Sequence, residues 1–118
     1  MQFYQEYDYI VRKGETFSEC FWMEDSDRKP IDLTGKTAMA EVRKFAGSPE
    51  ILATMATEID IATGCVSYKL TAEETDTLPI GTLAYDVALY EDVSGVRDIH
   101  YYLGGKFKVV NPVTDALP

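Results

Sequence analysis

A chain of 118 residues is long enough for one domain and too short for two ordinary ones. Its 46% hydrophobic content is ample for a core, and 26% charged residues with modest Gly and Pro exclude a disordered chain. A net charge of −9, from 20 acids against 11 Lys and Arg, excludes a basic nucleic-acid-binding face and attraction to an anionic membrane surface.

The start, Met1 to Glu6, has neither the basic residues nor the apolar stretch of a signal peptide. No run approaches the length of a membrane-spanning helix. The expectation is a protein made and folded in cytoplasm. From there, short period-two runs recur between turn signals, the pattern of half-buried strands. Tyr7, Tyr9 and Val11 alternate with Asp8, Ile10 and Arg12 before a turn at Gly14. Thr16 to Glu24 carries Phe17, Phe21 and Trp22 on both faces, which predicts a central strand. Asp25 to Pro30 is a polar hairpin turn.

Asp32-Leu33-Thr34-Gly35 is a turn that drops a leucine into the core. Ala38, Ala40 and Val42 then face one way, and Thr37, Glu41 and Arg43 the other. After a loop at Ala46 to Pro49, Ile51 to Ile59 reads as one weakly polar strand. Ala62-Thr63-Gly64 turns the chain, and Val66, Tyr68 and Leu70 face inward. Thr71 to Glu74 is a capping box, so one helical turn follows near residues 71–78, stopped by Pro79 and Gly81. Leu83, Tyr85, Val87 and Leu89 make the clearest strand. Asp92 to Gly95 turns it into Val96 to Leu103, and Gly104-Gly105 reads as a tight hairpin before Lys106 to Val110. Eight or so short strands at regular spacing imply a sandwich or small barrel, and the expected fold is an all-β, immunoglobulin-like antiparallel β-sandwich. It forms a single domain over 1–118, with an ordered core over about 6–111 and a loose tail over 112–118.

The residues that carry chemistry elsewhere lack their companions here. His100, the single histidine, lies in a strand with no nucleophile elbow anywhere in the chain. Glu24, Asp25 and Asp27 lack the sixth-position glycine and the terminal glutamate of a calcium loop. Gly104-Gly105-Lys106 lacks the glycine spacing, hydroxyl residue and helix of a phosphate loop. Glu73, Glu74 and Asp76 sit on an exposed turn, where capping accounts for Glu74. Cys20 and Cys65 fit no metal spacing. A disulfide needs their strands to face each other, and reduced cytoplasmic thiols are the plainer reading. No catalytic, metal-binding or cofactor-binding residue is therefore assigned, and no cofactor is expected. The tyrosines are the least ordinary feature. Tyr4, Tyr7 and Tyr9 cluster near the start and Tyr101 and Tyr102 near the end, and they suit an interface and half-buried strands equally well.

Several segments, taken in order, form a further pattern. They are Gly14 to Ser18, Pro30 to Gly35, Val42-Arg43, Gly64 to Val66, Leu70 to Thr75, Leu78 to Gly81, Tyr85 to Leu89, Gly105 to Val109 and Pro112 to Thr114. Over residues 8–114 the combination resembles small tailed-phage and prophage proteins, including the N-terminal domain of baseplate upper proteins. The resemblance implies a non-enzymatic virion component that joins tail, baseplate or connector parts, present in several copies and bound to other virion proteins. Unlike the baseplate protein, the chain has no long helical and receptor-binding regions after Pro118, which favours a free-standing accessory or connector role. The competing expectation is a carbohydrate- or host-receptor-binding module with aromatic rings stacked on sugars. A central-strand position for Trp22 argues against it.

Overall fold

Leu83, Tyr85, Val87 and Leu89 lie at 5% exposure or less, so the strongest alternation in the sequence forms the middle of the core. A computed structural model describes residues 4–114 and contains nine strands and one helix among them. The strands are β1 (Gln5–Glu6), β2 (Tyr9–Arg12), β3 (Phe17–Trp22), β4 (Thr37–Arg43), β5 (Ile51–Thr54), β6 (Ala56–Asp60), β7 (Cys65–Leu70), β8 (Gly81–Val93) and β9 (Val96–Val110). The helix is α1 (Ala72–Asp76).

One sheet runs β1-β9-β8-β4-β5, with β2 also on β9, and the other runs β3-β7-β6. Two packed sheets in this strand order, crossed by α1 between β7 and β8, make an immunoglobulin-like sandwich. It is antiparallel except at its N-terminal edge, where β1 and β2 run parallel to β9. Both sheets contribute alternate residues to the core. Ala38, Ala40 and Val42 come from β4, and Val66, Tyr68 and Leu70 from β7. Fully burying each large apolar side chain contributes about 1.5–3 kcal/mol.

An aromatic cluster closes the core between the sheets. Phe17 meets Tyr9 and Phe107 edge-on, with ring centroids 5.0 and 5.1 Å apart. Tyr68 has no exposed surface, and its hydroxyl lies 2.6 Å from that of Tyr9. Tyr85 donates its hydroxyl proton to the Tyr7 carbonyl oxygen. These bonds let phenols occupy a core, because a buried hydroxyl left unpaired is costly. Burial is the first cause that raises the pKa of both Tyr68 and Tyr85, so both stay neutral.

The local signals at the turns act as expected. Thr71 accepts from the Glu74 N–H, and Glu74 reaches back to the Thr71 N–H at 2.9 Å. Thr75 bonds the Glu15 carbonyl at 2.7 Å and ties the helix to the β2–β3 turn. Asp32 accepts from the Thr34 N–H and hydroxyl, and Leu33 is buried at 1% exposure. Ser94 and Gly95 both have positive φ, as a two-residue hairpin turn requires.

Three expectations are corrected. Gly104-Gly105 is no turn: β9 runs through it, and the two glycines give the N-terminal segment room to approach. Residues 51–59 form two strands in different sheets, because buried Met55 breaks the run and its N–H bonds the Ala40 carbonyl. β3 is an edge strand, paired among the described residues only with β7. Phe17 and Phe21 face inward, while Trp22 is 57% exposed, so apolar residues on both faces did not mean burial on both.

Candidate functional site

The outer face of the larger sheet is set by the residues that alternate with its core. On β4 these are Met39, Glu41 and Arg43, and on β8 they include Ala84 and Asp86. The short side chain of Ala84 keeps the floor low. Two walls stand over it. One is the loop Phe45 to Pro49, closed by the Ser48 N–H to Phe45 carbonyl bond and held by Arg43, which donates to the Ser48 carbonyl. The other is the N-terminal segment: Asp8 accepts from the Lys106 N–H at 2.9 Å, and the Tyr4 ring lies directly over Gly104. Together they enclose an open groove of about 710 Å³, with Phe45, Tyr4 and Tyr101 each half exposed along it.

Two carboxylates lie side by side on the floor. Glu41 and Asp86 are direct cross-strand partners, an arrangement that is destabilising for like charges. Arg43 relieves one of them, with Nη2 2.9 Å from Glu41 Oε1. The Asp86 carboxylate accepts no hydrogen bond from any described residue. Its pKa is raised, first by burial and then by the Glu41 charge, against a smaller pull from Arg43. The neighbouring Tyr4 is pushed up as well, by burial first and by Asp86 second.

The five tyrosines singled out from the sequence divide between three surroundings. Tyr4 and Tyr101, one from each cluster, line this groove. Tyr7 is 58% exposed and packs on Tyr9, with centroids 4.9 Å apart. Tyr9 and Tyr102 pack against the core. Glu41 and Asp86 escaped the sequence reading as a pair, since only the register places residues 45 positions apart opposite each other. A signal was present at Asp86, a charge on the outward phase of the strongest strand.

The other chemistry-bearing residues are dispersed. His100 Nε2 lies 2.8 Å from Asp98 Oδ1 on β9, an ion pair only when the ring is protonated. Asp25 accepts from the N–H groups of Asp27 and Lys29, so it caps its own turn. Cys20 and Cys65 are free thiols on the outer face of the smaller sheet, placed diagonally, since Cys20 pairs with Ser67 and Cys65 with Trp22. Burial, then the bond to Cys20, raises the Cys65 pKa. No group of three or more His, Cys, Asp or Glu that can hold a metal exists among the described residues.

No family model matches this chain, and no curated protein does. Among solved structures, it is similar to AggA, the major subunit of aggregative adherence fimbriae type I from Escherichia coli. The identity is 13% and the TM-score 0.45, over 87% of this chain and 89% of that one.

Proposed function

We propose that this chain is a structural protein of a tailed-phage virion, a tail, baseplate or connector component that works by docking to other virion proteins and catalyses no reaction. The observation that carries the reading is the groove on the larger sheet, where exposed rings and unbalanced carboxylates share one concave face. Exposed aromatics beside polar groups are the composition of protein interfaces. The resemblance over residues 8–114 supplies the class of assembly. In that role the protein is present in several copies, is made in the host cytoplasm and ends in the virion. Its acidity keeps free copies apart until specific contacts form. Mass spectrometry of purified particles from the producing host is the test. The expected result is this chain in fixed ratio to the tail proteins, and its absence from particles overturns the reading.

A second reading, a carbohydrate- or receptor-binding module, gains from one observation: Trp22 is exposed rather than central. It stands on an open sheet face and lines no part of the groove. A glycan array that retains the protein, with retention lost in Trp22→Ala, would favour it.

A further inference from the structure

The groove floor is electrostatically incomplete. Of the two adjacent carboxylates, Glu41 has its cation in Arg43, and the Asp86 carboxylate accepts no hydrogen bond from described residues. Arg43 cannot turn fully to Asp86, because its other nitrogen holds the Ser48 carbonyl and with it the loop wall. Lys106 also lines the groove and forms no ion pair with a described residue. Four carboxylates, Glu6, Asp8, Glu41 and Asp86, therefore face two cations across one concavity.

We propose that this groove seats an arginine side chain of a partner polypeptide, its guanidinium on Asp86 and its flat faces against the rings of Tyr4 and Tyr101. The inference rests on the docking reading above and names the chemistry of the partner. Charge complementarity selects a cation, and the half-buried position of Asp86 makes its pairing less screened than on open surface. The raised pKa of Asp86 agrees with a carboxylate that lacks a donor. The flanking rings select arginine over lysine. A planar guanidinium stacks on an aromatic face while donating in its own plane to a carboxylate, and an ammonium is a compact, strongly hydrated charge. The same charges disfavour a second copy of this face, since a two-fold contact would bring Asp86 and Glu41 against their own images. They disfavour a phosphate backbone for the same reason.

The test is a titration of the isotope-labelled, intact protein, followed by amide NMR shifts, with N-acetyl-arginine amide as probe. N-acetyl-citrulline amide, its neutral isostere, and N-acetyl-lysine amide are the controls. The arginine probe is expected to shift the amides of Glu41, Asp86 and Gly105 saturably, with a midpoint on the order of 10 mM, as befits one isolated contact. Lysine is expected to bind at least about threefold more weakly, and citrulline not measurably. Asp86→Asn, checked for an otherwise unchanged spectrum, is expected to abolish the response. The proposal is overturned by equal shifts with citrulline, by equal binding of lysine, by shifts spread over exposed acids such as Asp25 and Asp98, or by a response that survives in Asp86→Asn. Its failure leaves membership of the virion standing, and absence from particles leaves the titration standing.

Discussion

A β-carbon placed on Gly105 would lie 2.6 Å from the Tyr7 carbonyl oxygen and 2.7 Å from Asp8 Oδ1, and on Gly104 2.9 Å from the Tyr85 carbonyl. These are backbone atoms and a carboxylate already bonded to the Lys106 N–H, so none withdraws without disturbing the pairing of β9 with the N-terminal segment on one side or with β8 on the other. Gly105→Ala is expected to cost about 1–3 kcal/mol, the range for forcing extra volume into a packed site. Hydrogen exchange should localise the damage, with the amides of residues 5–12 losing protection while those of β4 keep theirs. Equal loss everywhere would show that the glycine does not act through this strand. Sequence reading found the glycine pair and gave it the wrong task. Two adjacent glycines are the ordinary mark of a turn, and a close approach by a segment about a hundred residues earlier leaves no local trace.

At the level of the element, β3 presents an edge with no bulge, no proline and a single charge. Glu19 pairs with Tyr68 and so lies on the inward phase of the strand, at the rim where it stays exposed. An inward-pointing charge on an edge strand resists the addition of another strand, because pairing would bury it. Glu19→Val would leave Phe17 to Trp22 uncharged. It is expected to raise self-association at a given concentration, read by sedimentation velocity, while Glu19→Gln does so less. Unchanged sedimentation of both variants would remove the guarding role. Alternation and turn chemistry made most elements legible, including the capping box and the inward faces of β4, β7 and β8. The strand that changes sheets at Met55 was not legible, because nothing in a run of weak polarity marks where its hydrogen-bond partners change.

For the whole molecule, the groove implies a pH response of folding. Asp86 is held above its ordinary value of 3.8, by burial first and Glu41 second. Between those two values the folded chain retains a proton that the unfolded chain has released, so the Asp86 contribution to stability grows as pH falls through that window and is lost as pH rises through it. Asp86→Asn is therefore expected to be the more stable protein at pH 7, by roughly 0.5 kcal/mol given its partial solvent screening. The advantage should vanish near pH 3, where both states of the native chain are protonated. Thermal melts at the two pH values check this, and an advantage independent of pH would assign it to something other than the charge. The groove itself was not legible in sequence. Its floor comes from β4 and β8, its walls from the N-terminal segment and the loop after β4, and only the fold brings these together.

The parallel seating of β1 and β2 on β9 also governs how the domain carries load. The first strands and the last run the same way, so tension applied through the two ends of the chain slides them past each other along their length. In that direction the bonds of the whole ladder stretch together, whereas a hairpin pulled from its open end releases them one at a time. The glycine-seated N-terminal strand thus sets the domain to resist a pull on its two ends in shear rather than by unzipping.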